Sequence, residues 1–94
     1  MSLEWFAGLR GQSFILRGED TGPLKAELVE ARSLPASPSQ GRQPFSLLFK
    51  GPASPLLPQR IYQLAHESEP EPLEIFLVPV SADASGVCYE AVFG

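Results

Sequence analysis

Apolar and polar positions alternate in short stretches along the chain, and clusters of Gly, Pro and Ser separate these stretches. Gly and Pro favour turns, and Pro lacks the amide that a strand ladder needs, so the clusters predict loops. The predicted loops are residues 18–23, 33–43, 51–58, 67–72 and 81–86. The stretches of strand length are residues 13–17, 24–32, 45–50, 60–66, 73–80 and 87–93. Short strands joined by turn-rich loops predict an all-β domain, a small six-stranded antiparallel barrel or sandwich.

The stretch 45–50, FSLLFK, shows the alternation around two aromatic residues. Phe45, Leu47 and Phe49 fall on one face of a strand. We expect this face to lie in the core, because each buried Phe or Leu stabilises the fold by about 1.5–3 kcal/mol. The stretch 87–93 has a similar apolar face, formed by Val87, Tyr89, Ala91 and Phe93.

Two other stretches depart from simple alternation. Residues 24–32, LKAELVEAR, change phase at Val29, which predicts a strand with a β-bulge, although the same pattern also suits a helix. Residues 73–80, LEIFLVPV, are nearly all apolar, which predicts a strand covered on both sides. Pro79 predicts an edge position or a bulge near the end of that strand.

The first residues, LEWFAGL, differ from the rest of the chain in their spacing. Leu3, Phe6 and Leu9 stand about one helical turn apart, with Trp5 beside them. We therefore predict a short helix or coil that plugs one end of the barrel.

Size and charge limit the classes of function. A chain of 94 residues has material for one core, so residues 1–94 form a single domain. The net charge is −4 and the seven basic residues are scattered, which argues against a nucleic-acid partner. No apolar run is long enough to cross a membrane, and no basic region precedes a long apolar stretch as in a signal peptide. We expect a cytoplasmic protein.

Few residues are suited to catalysis or to metal binding. The single cysteine, Cys88, and the single histidine, His66, could form a nucleophilic pair if the fold brings them together. Cys88 lies among alternating apolar residues, where a free cysteine usually behaves as a small hydrophobic group. The acidic run HESEPEPLE contains two prolines that hold it extended and spread its carboxylates. We expect no enzyme, no metal and no cofactor.

Four blocks of the chain resemble a known pattern. They are F-x-x-L-x-G-x-x-F from Phe6 to Phe14, then FSLLFKGP, LEIFLVPV and the closing YEAVF. In this order they resemble a small bacterial family of single-domain proteins of unknown function, with relatives near tail-fibre-like phage proteins. The resemblance covers nearly the whole chain, and it implies no catalytic residue.

The sequence favours a non-enzymatic interaction or accessory module. A small β domain presents strand edges or apolar surface that can recruit a protein partner, or a second copy in a symmetric homodimer. The candidate contact residues are Trp5, Phe6, Glu67, Glu69, Glu71 and Glu74. The alternative is a small-ligand-binding β-barrel or a minor hydrolase that uses His66 and Cys88.

Overall fold

A computed structural model describes residues 3–19, 22–35, 44–67 and 71–93. It contains one helix and six strands, whose bounds are α1 Leu3–Ala7, β1 Ser13–Arg17, β2 Leu24–Ser33, β3 Phe45–Gly51, β4 Arg60–Ala65, β5 Leu73–Asp83 and β6 Gly86–Phe93. The strands close into a barrel in the order β1-β2-β3-β6-β5-β4, and each neighbouring pair is antiparallel. The predicted all-β class is confirmed, and the architecture is the barrel.

The barrel has two ends that are closed by different parts of the chain. Helix α1 covers one end, called here the helix end, where β1 starts and β4 stops. Residues 52–59 cover the opposite end, called here the loop end. Because the strands run antiparallel, β2, β4 and β6 run from the loop end to the helix end.

Inward-facing apolar side chains fill the barrel. Phe45, Leu47 and Phe49 are buried, as their alternation predicts. The rest of the buried apolar cluster comes from α1, the other five strands and the loop end: Phe6, Phe14, Leu16, Ala26, Leu28, Leu57, Tyr62, Leu64, Ile75, Leu77, Val87, Tyr89 and Ala91. An interior occupied by aromatic and branched side chains makes this barrel a packed core.

The helix end is plugged by an aromatic cluster. Phe6 of α1 is fully buried, and its ring centroid lies 6.4 Å from that of Phe14, 6.0 Å from Phe45 and 5.9 Å from Phe93. The chain after α1 is held to β2 because Gly11 donates its N–H to the carbonyl of Leu28 at 2.7 Å. The predicted N-terminal plug is confirmed.

Two tyrosine hydroxyls hold the loop end closed. Tyr89 Oη accepts a hydrogen bond from the backbone N–H of Leu57 at 3.0 Å, and Tyr62 Oη donates to the carbonyl of Pro58 at 2.6 Å. Both tyrosine rings and the Leu57 side chain are buried. These contacts turn a Pro-rich loop into a cover for the core.

Both irregularities predicted within strands are present. The pairing of β2 with β3 shifts between Leu28 and Glu30, so Val29 is the bulge position and the helical alternative for this stretch is wrong. The pairing of β5 with β6 shifts between Pro79 and Ser81, where Pro lacks a ladder amide. The bulge at Val29 places Ala31 opposite the inward-facing Leu47.

Two predictions about β5 are wrong. The strand is covered on one side only, because all six strands lie in one closed layer and no described element packs on the outside of β5. The predicted loop at 81–86 is also too long, since β5 continues to Asp83 and β6 begins at Gly86. The predicted loops at 18–23, 33–43 and 67–72 lie partly outside the described residues.

Candidate functional site

The outer surface of β4, β5 and β6 carries large apolar side chains in contact with solvent. Ile61 of β4 stands directly opposite Phe76 of β5, and the two side chains are 58% and 50% exposed. Val92 of β6 is 60% exposed and alternates with buried residues, so it also faces outward. Val78, two residues after Phe76, completes the same face of β5. We call the outward side chains of Leu48, Ile61, Phe76, Val78, Glu90 and Val92 the docking face.

One carboxylate lies in the middle of this apolar surface. Glu90 is half-buried and stands opposite Val78 on β5 and opposite Leu48 on β3. Along β6, its neighbours on the outer face are Cys88 and Val92. Glu90 is therefore bordered by apolar side chains across both strand pairs and along its own strand.

The cations near this carboxylate have other partners. The Arg32 guanidinium donates to Glu30 Oε1 at 2.8 Å. This bond and the Glu30 charge, with a smaller contribution from the Glu90 charge, raise the pKa of Arg32 above its ordinary value. Lys50, opposite Cys88, donates from Nζ to Ser85 Oγ at 2.9 Å. Within the described part of the chain, the Glu90 carboxylate forms no hydrogen bond or ion pair.

The β5–β6 hairpin borders the docking face at the loop end. Ser85 donates both its Oγ hydroxyl, at 2.6 Å, and its backbone N–H, at 2.8 Å, to Asp83 Oδ1. The hydroxyl bond and then the backbone bond lower the pKa of Asp83 below its ordinary value. Because Ser85 also accepts from Lys50, this turn draws the nearest lysine toward the hairpin tip.

The structure does not bring His66 and Cys88 together. His66 follows β4 at the helix end, where its ring lies 4.7 Å from Phe14 and its Nε2 donates to Gln12 Oε1 at 2.8 Å. Cys88 faces outward near the start of β6, at the loop end, opposite Lys50 and Ser81. Because a thiolate needs its base within hydrogen-bond reach, these positions do not favour a nucleophilic pair.

The partner-contact residues predicted from the sequence fall into different environments. Phe6 is fully buried in the helix-end plug, so its side chain is not available to a partner in the folded domain. Trp5 is half-buried, with its ring 4.8 Å from that of Phe6. Glu67, Glu71 and Glu74 are exposed, whereas Glu69 lies outside the described residues. Glu74 is on the same face of β5 as Phe76 and therefore adjoins the docking face.

An open groove of about 560 Å³ runs beside the docking face. Ile61 belongs to the docking face and also lines this groove. The other groove residues include two cations, one amide and one carboxylate, from Arg17, Arg60, Gln63 and Glu74. Among the described residues, no three His, Cys, Asp or Glu side chains are grouped so that they could hold a metal ion. In the same residues, no helix has the length and apolar character needed to cross a membrane.

The docking face was not predicted from the sequence. Phe76 and Val78 belong to the apolar stretch LEIFLVPV, which was interpreted as a strand covered on both sides. The length of the chain gave a signal against that interpretation, because 94 residues supply few elements to cover a second side of an apolar strand. A short chain that uses every strand in one barrel has no second layer with which to cover an outer face.

Comparisons with known proteins identify a family and no established activity. No curated protein and no solved structure matches the chain. A family model matches residues 1–93, which confirms the predicted membership of a family of unknown function. The chain belongs to the family described as Domain of unknown function (DUF6916).

Proposed function

We propose that this domain is a non-enzymatic interaction module that docks on a protein partner through the docking face. The observation that carries the proposal is the outward cluster of Ile61, Phe76 and Val92, each at least half exposed. Contiguous apolar side chains on a small domain are a typical feature of a protein–protein contact. Covering them removes apolar surface from water, which favours association by about 25 cal/mol per Å².

The location of the cluster supports recognition of a protein. The side chains project from three neighbouring strands of a closed barrel, which holds them in fixed relative positions. A rigid surface loses little conformational freedom on binding, so more of the contact energy remains as affinity. Glu74, one of the residues proposed from the sequence, adds a charge at the rim of this surface.

The alternative function, a small-ligand-binding barrel or a minor hydrolase, has less support. Buried side chains occupy the barrel, α1 and residues 52–59 close its ends, and His66 lies at the opposite end from Cys88. Docking on a tail-fibre-like protein of a bacterial phage, which the sequence resemblance implies, would be one instance of the proposed role.

Affinity capture from native lysate tests the proposal with matched variants. Wild-type domain and Leu56→Ser should enrich the same protein, whereas Phe76→Ser should not. Leu56 is a suitable control because its side chain is 60% exposed but lies in the loop-end cover, outside the docking face.

Other results would contradict this assignment. If enrichment survives Phe76→Ser but is lost with Trp5→Ala or with Glu67→Gln, the contact lies at the helix end. If no protein depends on Phe76 and a purified metabolite raises the melting temperature, the domain binds small ligands instead.

A further inference from the structure

We infer that the docking partner presents an arginine or lysine side chain within an apolar surface, and that Glu90 is the residue that recognises it. This inference rests on the proposed docking function. It assigns to Glu90 the role of a specificity determinant in an otherwise apolar contact.

The surroundings of Glu90 require a partner of this chemistry. A surface that covers Phe76, Val78 and Val92 must also cover Glu90, because this residue lies among them. Glu90 is already half-buried before any partner arrives. Removing a carboxylate from water is costly unless a cation and hydrogen-bond donors replace the water. A partner with only apolar groups at this position would therefore be rejected.

Among the described residues, no cation forms an ion pair with Glu90. The basic side chains near it in this part of the chain, Arg32 and Lys50, donate to Glu30 and Ser85 respectively. Lys50 lies on β3, two residues after Leu48, and Arg32 lies on β2, one strand further from Glu90. We therefore assign the counter-charge at the centre of the contact to the other molecule.

The same charge disfavours two other occupants. A symmetric dimer centred on this face would bring the two copies of Glu90 close together, each on a chain of net charge −4. An anionic lipid surface would place phosphate groups against Glu90 and Glu74. A protein surface with one cation among apolar residues has neither disadvantage, and arginine suits it best because its planar guanidinium can bond both carboxylate oxygens.

Selection from a displayed library of linear peptides tests the inference without knowledge of the natural partner. The library is selected on wild-type domain, Glu90→Gln, Phe76→Ser and Leu56→Ser. Wild-type and Leu56→Ser should enrich peptides that share one Arg or Lys flanked by apolar residues. Glu90→Gln should enrich apolar peptides without the basic residue, and Phe76→Ser should enrich neither.

A double-mutant cycle measures the contact directly. One enriched peptide is synthesised with its arginine and with citrulline, which keeps the shape and removes the charge. We expect the citrulline change to weaken binding to wild-type domain about tenfold or more, and to have little effect on binding to Glu90→Gln. Peptide binding should also protect the neighbouring Cys88 thiol from alkylation, in wild-type domain and in Glu90→Gln.

Each other outcome has a definite meaning. Apolar peptides without a basic residue, bound equally by wild type and Glu90→Gln, overturn the role of Glu90 and leave the docking face intact. Peptides bound equally by wild type and Phe76→Ser, or no enrichment above the Phe76→Ser background, overturn the proposed function as well. A dimer in sedimentation experiments, or binding to phosphatidylserine vesicles, overturns the inference if Phe76→Ser abolishes it.

Discussion

At the scale of single residues, Gly86 shows how one position constrains the hairpin that borders the docking face. Its φ angle is +150°, and a Cβ atom built there would collide with the carbonyl oxygen of Gly51 on the adjacent strand. That neighbour is backbone, which cannot move aside as a flexible side chain can. Position 86 therefore requires glycine, both because the Gly51 carbonyl lies so close and because its backbone angle is unfavourable for other residues.

The first prediction is that Gly86→Ala lowers the free energy of unfolding by about 1–3 kcal/mol. Urea denaturation measures the change. Gly22→Ala is the matched control, because no atom lies within 4 Å of its added Cβ. We expect the control to stay within about 0.5 kcal/mol of wild type. Equal losses in the two variants would contradict the proposed collision.

The second prediction concerns the two tyrosine hydroxyls at the loop end. Tyr89→Phe removes the acceptor of the buried Leu57 N–H and should cost about 1–3 kcal/mol of unfolding free energy. Tyr62→Phe should cost less, since its partner carbonyl belongs to the exposed Pro58 and can bond water instead. Thermal denaturation of both variants measures the order, and a larger loss in Tyr62→Phe would contradict it.

At the scale of elements, α1 is too short to be stable by itself and depends on its contact with the barrel. A helix of five residues gains little from its own hydrogen bonds. Its stability comes from Phe6, which is inserted among Phe14, Phe45 and Phe93. The element is therefore part of the core, although its sequence pattern also suggested a partner contact.

The third prediction separates these two roles. Phe6→Ala should lower the free energy of unfolding by about 3–5 kcal/mol, as expected for a fully buried phenylalanine. Trp5→Ala should cost less, because Trp5 is only half-buried. Chemical denaturation compares the two. A Phe6→Ala variant as stable as wild type would show that α1 does not plug the barrel.

The fourth prediction concerns the pH dependence of the β5–β6 hairpin. Because hydrogen bonds from Ser85 lower the pKa of Asp83, the folded hairpin favours its ionised form. This contribution to stability is present above the ordinary carboxyl pKa of 3.8 and is lost as the pH falls through the lower folded value. Titration of the Asp83 carboxyl by NMR should show a higher pKa in Ser85→Ala than in wild type. Ser81→Ala, on the neighbouring exposed position of β5, should leave it unchanged, and an equal pKa in all three proteins would contradict the assignment.

At the scale of the whole molecule, the barrel has apolar side chains on both of its surfaces. The inner surface is filled, and the outer surface carries the docking face. We expect stability to depend mainly on the first, because its side chains are the buried ones. The two surfaces can therefore be separated by mutation.

The fifth prediction uses this separation. The double variant Ile61→Ser with Phe76→Ser should lower the free energy of unfolding by no more than about 2 kcal/mol, since both side chains are already about half exposed. It should bind a hydrophobic dye less strongly, as measured by fluorescence. Leu77→Ser, at the buried neighbour of Phe76, should instead unfold more readily by several kcal/mol, about the cost of placing a polar group in a packed core. A large loss of stability in the double variant would contradict a free docking face.

The sequence by itself determined the properties that depend on neighbouring residues. Period-two alternation predicted the inward faces of β3 and β6, because successive side chains of a strand point to opposite sides. The change of phase at Val29 predicted a bulge for the same reason. The spacing of Leu3 and Phe6 predicted a plug at the N-terminus, which the buried Phe6 confirms.

Only the tertiary structure decided the properties that depend on which strands meet. Barrel closure requires β1 to pair with β4 through contacts such as Leu16 with Leu64, and no local pattern encodes a pairing between residues so far apart in the chain. The same closure left the outer face of β5 uncovered and placed His66 and Cys88 at opposite ends. Glu90 acquired its apolar surroundings from β3 and β5, on either side of its own strand. Its candidate role therefore arises from strand order, which the periodicity of a single strand does not specify.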